Sequence, residues 1–143
     1  MKLKNLLTIL IIVLIAPVLV QAQNSDATEN ARAYIVQPQH GAVVPATFKI
    51  VFGLSNMGVA PAGQNVEGTG HHHLLIDVDE LPDLTKPLPT SDKVRHFGLG
   101  QTETVLTLPP GKHTLQLILG DFTHTPHNPP VMSEKITVYV SDL

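Results

Sequence analysis

The stretch "SEKITVYV", residues 133–140, decides the fold. Ile136, Val138 and Val140 alternate with Lys135, Thr137 and Tyr139, the two-residue period of a strand with one face in a core and one in solvent. Short apolar runs recur along the chain: "AYIV" (33–36), "TFKIVFGL" (47–54), "HLLIDV" (73–78), "ETVLTL" (103–108) and "HTLQLILG" (113–120). In the second of these, Phe48, Ile50 and Phe52 share one face and Lys49 points away. Proline and glycine separate the runs, as in "QPQHGAVVP" (37–45) and Pro109–Gly111. No stretch has an apolar stripe of helical period and length. Six or seven short strands predict an all-β fold, a small immunoglobulin-like β-sandwich or Greek-key barrel of about seven strands. The longest irregular segments are 55–71, 79–101 and 121–130, and loops of that length in a small domain are places to look for function.

The N-terminus reads as an address rather than part of the fold. Lys2 and Lys4 precede the apolar run Leu6–Ile15, and Pro17 and small residues near position 22 follow, the layout of a secretory signal peptide. Residues 1–22 are expected to be removed after Ala22, leaving a periplasmic or secreted protein with no membrane span. The competing reading is a retained anchor, but Leu6–Val20 falls short of the roughly 20 residues a spanning helix needs. The polar, aperiodic "QNSDATENA" (23–31) predicts a flexible leader, and 32–143 a single β-sandwich domain. Cleavage at Ala22 removes two lysines from a 143-residue chain of net charge −3, leaving 121 residues at −5. A mildly acidic domain has no electrostatic case for nucleic acid. With no cysteine in the chain, disulfides, thiolate ligands, a cysteine nucleophile and lipid attachment through cysteine are all excluded.

Seven of the eight histidines lie between residues 71 and 127. In "GTGHHHLLIDVD" (68–79), Leu74, Ile76 and Val78 form a core row that His72 extends. His71 and His73 lie on the opposite face, spaced so that both imidazoles reach one ion. His113 heads the row Leu115, Leu117, Leu119 and reads as a buried, hydrogen-bonded histidine. His96, in "RHFGLGQTE", precedes a glycine pair that permits a tight turn or close backbone approach. In "GDFTHTPHNPPVM" (120–132), Pro126, Pro129 and Pro130 bias the backbone toward polyproline II, in which His124 and His127 point the same way. Asp121 and Asp77 are candidates to orient an imidazole from behind. The candidate metal ligands are therefore His71, His73, His96, His124 and His127, with Asp77 and Asp121 in support. Imidazole without thiolate suits copper or zinc, copper before zinc. Met57 and Met132 could add thioethers, although lone methionines more often fill cores.

A blue-copper centre is excluded because it needs a cysteine, and copper–zinc superoxide dismutases carry a disulfide and a longer ligand set than this chain offers. Metal-free catalysis has little support: no Gly-x-Ser-x-Gly elbow, phosphate-cradling glycine loop or His-Glu-x-x-His helix is present. Glu67, Asp77, Glu103 and Asp121 read as surface carboxylates rather than an acid–base pair.

The motifs "NMGVAPAG" (56–63), "GHHHLLID" (70–77), "HFGLGQTE" (96–103), "LPPGKHTLQLILGD" (108–121) and "HTPHNPPVMSEKITV" (124–138) resemble an exported bacterial family catalogued as domain of unknown function 4399. The resemblance covers roughly residues 34–140 and implies a small exported β-domain with recurrent histidines. His40 departs from the acidic residue more usual in its turn and is left out of the site. More loosely, the opening strand pair is similar to periplasmic copper-resistance β-barrels of the CopC type, an architectural likeness that transfers no ligands.

These observations predict a periplasmic or secreted histidine-rich module that binds a metal ion for storage, delivery or tolerance, with a periplasmic protein as its further partner. They favour a binding role over an enzymatic one without deciding between them. The alternative is a metal-free β-sandwich binding or structural module whose histidines serve the fold.

Overall fold

The structure is a computed structural model that describes residues 24–142, so the expected signal peptide and its cleavage point lie outside the described residues. Nine strands form: β1 (Arg32–Gln37), β2 (Val43–Val44), β3 (Thr47–Ser55), β4 (Gly58–Val59), β5 (Thr69–Ile76), β6 (Val94–His96), β7 (Glu103–Thr107), β8 (Gly111–Gly120) and β9 (Ile136–Val140). They make two sheets, β1-β3-β7 and β2-β9-β8-β5-β4, with β6 also paired to β5. The fold is an all-β sandwich and not a closed barrel. The strand count exceeds the expected seven because two-residue β2 and β4 and three-residue β6 are too short to show a period. No helix among the described residues is long and apolar enough to cross a membrane.

The alternating rows read from the sequence meet between the sheets. Phe48, Ile50 and Phe52 of β3 and Leu106 of β7 face Leu74 and Ile76 of β5, Leu115, Leu117 and Leu119 of β8, and Val138 and Val140 of β9, all buried. A fully buried leucine or isoleucine contributes about 1.5–3 kcal/mol relative to its exposed state, so this one layer supplies most of the cohesion a chain without disulfides has.

The larger sheet is also covered on its outer side. Leu75 and Ile118 pack there against Leu88, with Val78, Leu84 and Met132 around them. Nearly every residue of β5 is consequently buried, histidines included. This double cover creates the enclosed space in which the candidate site lies.

Candidate metal centre

His71 and His73 project from the outer face of β5, two residues apart on one side. β6 runs antiparallel beside them with His96 directly opposite His73, a pairing that puts Cβ atoms about 4.5–5.5 Å apart. On the other flank of β5, His71 pairs with Gly120, the last residue of β8. The chain leaving Gly120 therefore begins beside His71, and it folds back through a bridge between Gly120 and Pro126. His124 lies at the tip of this loop.

One carboxylate organises the turn. Asp121 Oδ1 accepts from the Thr123 amide (2.8 Å), the Thr123 hydroxyl (2.7 Å) and the Thr125 amide (3.1 Å), while Oδ2 accepts from the Ser25 hydroxyl (2.8 Å). The His124 amide donates to the Asp121 carbonyl and its carbonyl accepts from the Leu88 amide. His124 itself adopts φ +70°, a left-handed conformation uncommon outside glycine.

The result is a four-histidine cluster. One ring nitrogen from each of His71, His73, His96 and His124 lies within 4.8 Å of the other three. Ring centroids are 4.8 Å apart for His71–His73, 5.1 Å for His73–His96 and 4.6 Å for His96–His124. His71 Nε2 and His124 Nδ1 are 3.1 Å apart. Metal–nitrogen bonds near 2.0–2.1 Å place tetrahedral ligand atoms roughly 3.4 Å from one another, so small ring movements close the set around an ion. Buried His71 Nδ1, His73 Nδ1 and His96 Nε2 have no hydrogen-bond partner. Buried polar atoms are rarely left so, and a cation among the rings would answer several at once.

Electrostatics keep His71, His73 and His96 in the ligating form. Burial, reinforced by His124 and His96, lowers the His71 pKa to about 4, and the Asp121 carboxylate only partly opposes this. Burial and the neighbouring His71, His96 and His124 lower His73 to about 3, and burial together with His124 lowers His96. Neutral imidazole is the form that binds metal.

Two glycines make room for the rings. A Cβ at Gly98 would collide with the His96 imidazole, and one at Gly120 would come within 2.7 Å of His73 Cε1. The glycine after His96 was visible in the sequence as a position for close backbone approach. The role of Gly120 was not, because it depends on which strand lies beside His71.

Other expected participants lie elsewhere. His127 is outside the cluster: its ring lies against Gly70 and its Nε2 donates to the Thr69 carbonyl at 3.1 Å. The left-handed turn at His124 breaks the polyproline geometry that would have aligned the two rings. Asp77 is at the opposite end of β5, where it accepts from His113 Nδ1 at 2.7 Å and the Thr114 amide at 2.8 Å, so it does not support the cluster. Asp121 lies close by, but it holds loop backbone rather than an imidazole. His72 projects into the sandwich, its ring 5.2 Å from that of Phe52. Met57 packs against the main core and Met132 against the outer cluster. Residues 24–27, expected to be part of a flexible leader, are paired with the histidine loop. Ala27 donates to the Asn128 carbonyl, and the Asn128 amide donates to the Ser25 carbonyl.

Among known proteins, the model of the family described as Domain of unknown function (DUF4399) matches residues 50–141. No curated protein and no solved structure matches the chain.

Proposed function

The chain belongs to the family described as Domain of unknown function (DUF4399), and we propose that it is an exported metal-binding module that takes copper in preference to zinc. The observation that carries this reading is the convergence of His71, His73, His96 and His124 within 4.8 Å. Three features support it further. The rings with lowered pKa values are already neutral and need not lose protons to an incoming ion. The donor set is all nitrogen, and divalent copper binds nitrogen sites more tightly than divalent zinc. His96 and His124 are only partly buried, which gives an ion a way in. A site with four protein ligands fits holding and handing over an ion, since catalytic metal sites usually leave a position open. Storage, delivery or tolerance in the periplasm or outside the cell is the role we assign.

Isothermal titration with Cu(II) and Zn(II) tests this. One equivalent is expected to bind at submicromolar Kd, copper more tightly, with loss in a His71→Ala/His73→Ala variant. Micromolar or weaker binding that this variant leaves unchanged sinks the reading. It would favour the metal-free alternative, for which the 3.1 Å contact between His71 and His124 is a hydrogen bond serving the fold.

A further inference from the structure

His124 is the one member of the cluster that does not stand on a strand, and its left-handed backbone (φ +70°) persists only where the surroundings impose it. Those surroundings include, beside the turn's own bonds through Asp121, the segment before β1. Ser25 Oγ donates to Asp121 Oδ2 at 2.8 Å, fixing the carboxylate whose other oxygen gathers the Thr123 and Thr125 amides. Asn24 Nδ2 donates to the carbonyls of Pro126 and Leu84, both at 2.9 Å, tying the loop to the cover over β5. Asp26 forms a parallel bridge with Asn128. Residues 24–27 thus grip the histidine loop on both sides of His124.

We propose that Ser25 and Asn24 are positioning residues of the metal site, which hold His124 in reach of the ion through Asp121 and Pro126. The proposal rests on the metal-binding reading and deepens it: affinity for the ion is set partly by a segment that contributes no ligand. Linkage makes the effect reciprocal, so a bound ion tightens the docking of residues 24–27.

The test is Cu(II) binding by the full chain, read by competition titration and electron paramagnetic resonance. Ser25→Ala is expected to weaken binding about tenfold, the lower end for groups that orient ligands, and to shift the nitrogen hyperfine pattern toward that of His124→Ala. Ser25→Thr should restore both. In a His124→Ala background, Ser25→Ala should cost nothing further. Wild-type affinity and spectrum in Ser25→Ala, or the same loss with and without His124, overturns the proposal while leaving the metal site standing. A wild-type chain that binds no Cu(II) overturns the metal reading and this proposal with it. A second measurement needs no variant: Cu(II) should slow hydrogen exchange at the Ala27 and Asn128 amides, and unchanged exchange there overturns the proposal.

Discussion

His71 Nε2 and His124 Nδ1 stand 3.1 Å apart across the junction of a strand and a loop. The two rings share one hydrogen bond at that distance, and an ion inserted there exchanges this weak bond for several metal–nitrogen bonds. Cu(II) at a hundred times its Kd is expected to add about 2.7 kcal/mol to stability, which corresponds to roughly 10 °C in Tm for a domain of this size. Calorimetry with and without the ion measures the shift. His71→Ala should remove it.

Without metal, stability should fall with acid below neutrality. His71 titrates near 4 and His73 near 3 in the folded chain, both lowered chiefly by burial, against about 6.5 when unfolded. Between those values the unfolded chain binds more protons, so stability is full above pH 6.5 and drains away toward pH 4. Urea midpoints across this range should drop more steeply in wild type than in a His71→Gln/His73→Gln variant.

The pair at the other end of β5 behaves oppositely. His113 Nδ1 donates to Asp77 Oδ2 at 2.7 Å and Nε2 to the Pro109 carbonyl at 2.8 Å. Two acceptors require both ring hydrogens, the charged form. Burial alone would lower the His113 pKa, but these two partners outweigh it and raise it. Their contribution is therefore full below the unfolded pKa and lost as pH rises through the folded one. Asp77→Asn should cost about 1–2 kcal/mol at pH 5.5, since charge-assisted bonds are worth a little more but Asp77 is partly exposed. It should cost less at pH 9 and leave metal affinity unchanged. Denaturant melts at the two pH values distinguish these outcomes.

His72 gives a stability prediction of the other sign. It is buried, and neither ring nitrogen has a partner. Burial lowers its pKa to about 4, and the backbones of Gln101 and Gly53 pull the other way without reaching hydrogen-bonding geometry. Replacing an unsatisfied buried polar group with an apolar one of similar size relieves a desolvation cost. His72→Leu should stabilise the protein by about 1 kcal/mol with copper binding intact. A destabilised variant would show that the ring makes bonds worth keeping.

Gly98→Ala tests the room around His96. A methyl there must push the imidazole aside, and a displaced ligand weakens metal binding about tenfold or more. The fold should survive, because a side-chain rotation absorbs the clash. Circular dichroism and titration on the same sample separate the two effects.

Much of this was legible in the chain. Alternation located six of the nine strands and assigned His71 and His73 to one face and His72 to the other. It could not show that loop residues such as Leu88 cover the outer sheet, because Leu88 lies in an aperiodic stretch. Nor could it place Asp77, since adjacency to His73 in sequence says nothing about which end of a strand a site occupies. His127 falls outside the four-histidine group for a local reason: prolines restrict φ at their own and preceding positions but left His124 free to turn left-handed. The grip of Ser25 on Asp121 joins residues 96 apart, and no local pattern encodes such a contact.

The composition of β5 has one last consequence. A strand that slips by one residue exchanges its two faces, and "HHHLLI" (71–76) is nearly self-similar under that slip: histidine replaces histidine, leucine replaces leucine, and only the step from His73 to Leu74 changes character. The side chains in the middle of the strand therefore discriminate poorly between the correct alignment and its neighbour. The ends must do so. At one end Gly70 passes where a Cβ would lie 2.7 Å from the Gly120 carbonyl and 2.8 Å from the His127 ring, so no histidine could take its place. At the other, Asp77 turns left-handed (φ +52°) to reach His113 and Thr114. Residues outside the cluster thus fix which histidines face it and which faces the core.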